Sequence, residues 1–75
     1  MLRTVCFDFG NSRQKAALFA GEQLQEVRVL DDTRTETVQA LLQDWKPQRS
    51  ILSSVIDHDP SLPELLQSRT SFHQL

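Results

Sequence analysis

The run from Val5 to Lys15, VCFDFGNSRQK, limits what this chain can fold into more than any other stretch. From Thr4 to Phe9, Val5, Phe7 and Phe9 alternate with Thr4, Cys6 and Asp8, so apolar groups fall on both sides. Such a strand belongs in the middle of a sheet. It runs into Gly10-Asn11-Ser12, where Gly10, lacking a Cβ, can take φ > 0 and let another group come close, and Asn11 tolerates left-handed backbone. A second strand begins at Arg13, so the chain opens as a hairpin.

Such a turn can aim successive backbone N–H groups at one point, and a concave set of amides binds phosphate oxygens. The Asn11 and Ser12 side chains add hydrogen bonds, and Arg13 or Lys15 can offset negative charge. Asp8 is the odd member, because a carboxylate facing phosphates repels them unless a cation lies between. Its useful role is to hold Mg²⁺ or its waters, since Mg²⁺ takes one or two carboxylates together with phosphate oxygens. The candidate phosphate-binding positions are Asp8, Phe9, Gly10, Asn11, Ser12, Arg13, Gln14 and Lys15, with Asp8 the metal position. The plainer alternative is a hairpin whose Gly-Asn serves shape alone, with Asp8 a solvated charge. Asp8-Phe9-Gly10 also spells a protein-kinase motif, but that motif follows a glycine-rich loop, a lysine strand and a catalytic loop, and only seven residues precede Asp8.

Charge narrows the partners. Eight basic and ten acidic residues give a formal net charge of −2, which argues against nucleic acid or an anionic membrane as a partner. A phosphate site needs only local donors. The 75 residues make at most one small domain, and a chain of this size buries only about 60% of its unfolded surface. Cys6 is the only cysteine, which excludes an intramolecular disulfide, and its place in an apolar strand suggests an inert buried thiol. With neither a signal peptide nor a membrane-spanning run, a cytoplasmic chain is expected.

Along the chain, Arg13 to Ala20 alternates as a second strand, and Gly21-Glu22 turns it into a third, Gln23–Leu30. There Leu24 is out of phase with Val27 and Val29, which predicts a bulge on an edge strand where Glu26 and Arg28 meet water. Thr33-Arg34-Thr35-Glu36 fits a capping box, and Val38, Leu41, Leu42 and Trp45 then trace one helical face that Pro47 terminates. Trp45 reads as a core anchor, and Arg34 and Arg49 as surface charges. Ser50–Ile56 reads as a strand returning parallel to the first after the helical crossover. Its Ser53-Ser54 pair either walls a ligand cleft or supplies small residues for close packing. Asp57-His58-Asp59 resembles a metal cluster only superficially, because adjacent residues do not converge on one ion unaided. Ser61-Leu62-Pro63-Glu64 suggests a second capping box, followed by a Leu62/Leu65/Leu66 stripe and a strand beginning near Ser71.

Asp8-Phe9-Gly10-Asn11-Ser12, followed by Lys15 and Phe19, resembles the amino-terminal Asp-x-Gly-Asn-Thr/Ser phosphate motif of type III pantothenate kinases, and Ser53-Ser54-Val55 is similar to the Ser-Ser-Val run after that family's first helix. These kinases belong to the acetate and sugar kinase, Hsc70 and actin superfamily. The resemblance implies an α/β fold: a ribonuclease H-like, actin-like half-domain with a mixed sheet in the order β-β-β-α-β-α-(β). Residues 1–75 then form one partial domain, the amino-terminal part of a larger protein, with one sheet face left uncovered. The implied activity is ATP-dependent phosphorylation of pantothenate, the first step of coenzyme A biosynthesis. Asp8 orients hydrated Mg²⁺, the 8–15 turn cradles phosphate and Lys15 neutralises developing charge. It further implies a monovalent cation, K⁺ or NH₄⁺, bound outside this chain, a homodimer, and a catalytic base lying in sequence absent here, so that the isolated chain is expected to be inactive. The alternatives are a non-catalytic nucleotide-binding or transcription accessory module of the same fold, and a ribonuclease H-like nuclease.

Overall fold

The computed structural model describes residues 2–10, 13–54 and 60–75. Strand β1, Arg3–Phe9, is central as its two-sided pattern requires, and it buries Val5, Phe7 and Phe9 on one face. Strand β2, Gln14–Ala20, pairs antiparallel to it, with Val5 opposite Leu18 and Phe7 opposite Ala16. Gly21 starts the next turn at φ 61, a left-handed conformation that suits a two-residue hairpin connection. Strand β3, Gln23–Leu30, follows at the edge of the sheet. Its register shifts between Leu18 and Phe19, which face Glu26 and Leu24, so Gln25 is the extra residue of the expected bulge.

Helix α1, Thr35–Trp45, buries Val38, Leu41, Leu42 and Trp45, the stripe expected from spacing. Its start differs from the expected capping box. Arg34 occupies the N-cap without a side-chain bond, and Asp32 supplies the acceptor instead, taking hydrogen bonds from the Arg34 amide at 3.0 Å and from the Thr37 hydroxyl. Glu36 accepts from the neighbouring Thr35 hydroxyl at 3.0 Å and does not reach back to Thr33. At the other end Lys46 adopts a left-handed conformation, φ 49 and ψ 53, and its amide donates to the Leu42 carbonyl at 2.8 Å before Pro47 stops the helix.

Strand β4, Arg49–Ser54, lies parallel to β1, and strand β5, Ser71–Gln74, parallel to β4, giving the order β3-β2-β1-β4-β5. Helix α2, Ser61–Arg69, connects these last two strands and buries Leu62 and Leu66. Pro60 holds its N-cap position, so Ser61 is the first helical residue and the second expected capping box is not formed. The expected continuation of β4 through Val55 and Ile56, and the Asp57-His58-Asp59 group, lie outside the described residues. The chain is thus α/β, with a mixed five-stranded sheet and two helices.

Both helices contribute to one apolar cluster, which joins Val38, Leu41, Trp45, Leu62 and Leu66 to Val5, Phe7, Phe9, Ala16, Leu18 and Leu52. The Phe7 and Phe9 rings meet edge to face at 5.8 Å. Ser50 is the polar member of this interior, fully buried between the two layers. Thr70 spends its hydroxyl proton on the Leu66 carbonyl at 2.7 Å, so Ser50 donates to the Thr70 oxygen and both groups are satisfied.

The opposite face of the sheet is bare among the described residues. It presents Leu24, Val27 and Val29 from β3, each more than half exposed at 55%, 53% and 56%, beside the partly buried Ala17, Phe19, Cys6 and Ile51. Cys6 is therefore half-buried on an open face and not enclosed, although what burial it has raises its thiol pKa and keeps it a poor nucleophile.

Candidate functional site

The parallel return of β4 is what assembles a site. It sets Asp8 of β1 directly opposite Ser53, and Phe9 opposite Ser54, at the carboxyl ends of two adjacent parallel strands. Antiparallel pairing on the other flank places Lys15 opposite Asp8 and Gln14 opposite Phe9. Asp8, Lys15 and Ser53 therefore share one face and one row, although 45 residues separate the first from the last. Carboxyl ends of parallel strands are where open α/β sheets bind ligands.

Alternation divides the remaining candidates. Phe9 is fully buried in the core and Gln14 points the same way, so a ligand at this edge could reach Phe9 only through its backbone. The Gln14 Oε1 is buried without a hydrogen-bond partner. Asp8, Arg13 and Lys15 are exposed, and Asp8 and Lys15 form no ion pair with each other despite being cross-strand neighbours. Among the described residues, two cations thus accompany one carboxylate at this edge. Ser53, in this row, and Ser54, opposite Phe9 on the other face, are both partly exposed.

The turn itself differs from the sequence expectation at Gly10. The left-handed positions among the described residues are Gly21 and Lys46, so Gly10 does not use φ > 0. Its amide donates to the Arg13 carbonyl at 3.1 Å and closes the turn, which removes that N–H from any anion cradle. A Cβ built at Gly10 would sit 3.5 Å from the Arg13 oxygen, an ordinary contact. Among the described residues no contact requires glycine at this position, and what glycine then provides is access from outside. Asn11 and Ser12 lie outside the described residues.

A divalent cation can be weighed against the donors present. Among the described residues no three His, Cys, Asp or Glu side chains gather as a metal site. Asp8 is a single exposed carboxylate with the Ser53 hydroxyl in the same row. That set is too sparse for an all-protein cage but fits Mg²⁺, which keeps several waters and completes its shell with phosphate oxygens.

Among the described residues, none of three shallow concavities is lined by Asp8, Lys15 or Ser53. Shallow concavities of about 420, 430 and 390 Å³ lie elsewhere, between β3 and α1, between the two helices, and across β4 and β5. The first is bordered by Arg28, which binds Asp44 at 2.8 Å and Glu26 at 3.0 Å and stacks over the Trp45 ring at 4.9 Å. Those partners account for Arg28 as an anchor between β3 and α1. No helix among the described residues is long and apolar enough to cross a membrane.

The fold and site together define an α/β chain with a charged, hydroxyl-lined row at the carboxyl edge of its parallel strands. Comparison with protein families, curated proteins and solved structures finds no match to this chain.

Proposed function

We propose that this chain carries the phosphate-binding turn of an ATP-dependent small-molecule kinase with a ribonuclease H-like, actin-like fold, and that pantothenate is the phosphoryl acceptor. The observation that carries the reading is the row formed by Lys15, Asp8 and Ser53 beside the Gly10 turn. Phosphoryl transfer asks a protein mainly for positioning and for countercharge, and this row offers both. Asp8 holds the waters of Mg²⁺, Lys15 and Arg13 face the phosphate oxygens, and the bare Gly10 lets the phosphates approach the backbone. The acceptor rests on the Asp-x-Gly-Asn-Ser and Ser-Ser-Val resemblance alone. The ribonuclease H-like nuclease has weaker support, because two-metal chemistry needs several convergent carboxylates and the described row contains one.

An amide chemical-shift titration with Mg²⁺–ATP tests the proposal. Shifts centred on residues 8–15 and weakened by Asp8→Asn are expected. Absence of localised shifts refutes the phosphate site. ATP binding without pantothenate-dependent ADP release by any longer form of the protein supports the non-catalytic nucleotide-binding alternative instead.

A further inference from the structure

The outer face of the sheet is apolar at one side and ends in hydrogen-bond donors at the other. Register puts Val27, Ala17, Cys6, Ile51 and His73 in one row across all five strands, and Arg49 opposite Ser71 in the row beside it. The concavity of about 390 Å³ across β4 and β5 lies where these rows finish. Arg49, Ile51, Ser71 and His73 alternate to this face, while Ser50 and Phe72 alternate toward the core and offer the concavity only their backbone. Arg49, Ser71 and His73 are exposed, and among the described residues no ion pair engages Arg49 or His73. Asp31 and Asp44 border the concavity beside α1, and Glu64 the one between the helices, but the lining described across β4 and β5 contains no carboxylate.

We propose that this face binds a small aliphatic monocarboxylate, its head held by Arg49, Ser71 and His73 and its chain lying across Ile51, Cys6 and Ala17. Arg49 is the one permanent charge in the concavity, which matches a monoanion, and its planar fork fits the two oxygens of a carboxylate. The Ser71 hydroxyl and the His73 ring, on the neighbouring strand, supply further donors to the same oxygens. An edge strand that merely met water would turn its polar side to this face, yet β3 turns Val27 and Val29 there, so the row beyond the head group stays apolar to its end. The opposite orientation of the ligand is disfavoured, because the cation at the other end of the face, Lys15, stands beside Asp8, whose charge repels a carboxylate.

This site is separate from the proposed phosphate site. Arg49 lies opposite Thr4, and Asp8 is four residues further along β1, roughly 13 Å away at about 3.3 Å per residue. A chain lying on an open face buries about half its surface, so each added methylene should tighten binding by roughly twofold, half the exponent of full burial. An eight-carbon acid then binds with a dissociation constant on the order of 0.1–1 mM. The inference is independent of nucleotide binding.

Amide chemical-shift titrations of the full chain with butyrate, hexanoate, octanoate, octan-1-ol and inorganic phosphate test it, with the fold of each variant checked by circular dichroism. Octanoate is expected to move the amides of residues 49–51 and 71–73, and those of 6 and 17 beneath its chain. Its affinity should exceed that of butyrate by roughly tenfold to twentyfold, the product of four methylene steps. Arg49→Gln, at an exposed position, should weaken octanoate binding by at least about tenfold, and Arg49→Lys, which keeps the charge without the fork, by less. Octan-1-ol should leave residues 71–73 unmoved. The proposal is overturned if octanoate moves none of these amides, if its affinity is indifferent to chain length or to Arg49→Gln, or if octan-1-ol produces the same shifts. Phosphate binding the same amides more tightly than octanoate overturns it too, since the apolar row would then have no part in recognition.

Discussion

Gly10→Ala separates the two reasons a glycine can occupy this turn. If the backbone needed a left-handed residue there, alanine would be strained, but Gly10 does not adopt positive φ. If the interior were too tight, the methyl would clash, yet the nearest atom among the described residues, the Arg13 oxygen, stands 3.5 Å from the Cβ position. The Gly10 amide bond to Arg13 survives the change because alanine keeps its N–H. What remains is the loss of unfolded-chain entropy, which favours alanine by about 0.4–1 kcal/mol at compatible sites. In a chain of 75 residues each 1 kcal/mol moves Tm by roughly 6 °C, so a rise of about 2–6 °C is expected in a thermal scan. Nucleotide binding should move the opposite way. A methyl between phosphate and turn costs about one charge-assisted hydrogen bond, about 1.5–3 kcal/mol, or roughly tenfold to a hundredfold in Kd for Mg²⁺–ATP measured by calorimetry. A destabilised Gly10→Ala would refute the steric reasoning. A stabilised variant with unchanged affinity would refute close approach as the purpose of the glycine.

Other perturbations have equally definite signs. Lys46 caps α1 in a left-handed conformation that strains any side chain, so Lys46→Gly should stabilise the chain by about 0.5–1 kcal/mol in urea unfolding. Asp32 accepts from the Thr37 hydroxyl and the Arg34 amide, which lower its pKa below the ordinary carboxylate value. A depressed folded pKa contributes stability above the unfolded value, about 3.9, that is lost as pH falls through the folded one. Asp32→Ala should therefore lower Tm near neutral pH, and its gap from wild type should close in acid below that range; a gap that is independent of pH contradicts the capping role.

The parts legible in sequence were those governed by local period. Strand β1, the bulge in β3 and the α1 stripe each follow from which side chains alternate or recur, and each formed. The helix starts were less legible because several acceptors compete there. Thr33 stands in the capping pattern, but Asp32 is ionised, one residue away, and satisfies two donors at once, so the helix begins later. At Gly10 residue type gave the wrong conformational reason, since glycine permits positive φ without requiring it.

The side toward which each strand turns its pattern is a tertiary property, and β3 shows why it matters. Glu26 and Arg28 read in sequence as the wet side of an edge strand, yet register with Leu18 and Ala16 puts them on the helix side. Arg28 makes that orientation tolerable by joining Asp44 and stacking on Trp45, beyond the apolar centre of the layer. Once β3 is fixed this way, its aliphatic residues must lie on the face that also carries Asp8 and Lys15. The same alternation that sets a carboxylate and an ammonium at the proposed phosphate site thus lines the surface beside them with apolar groups.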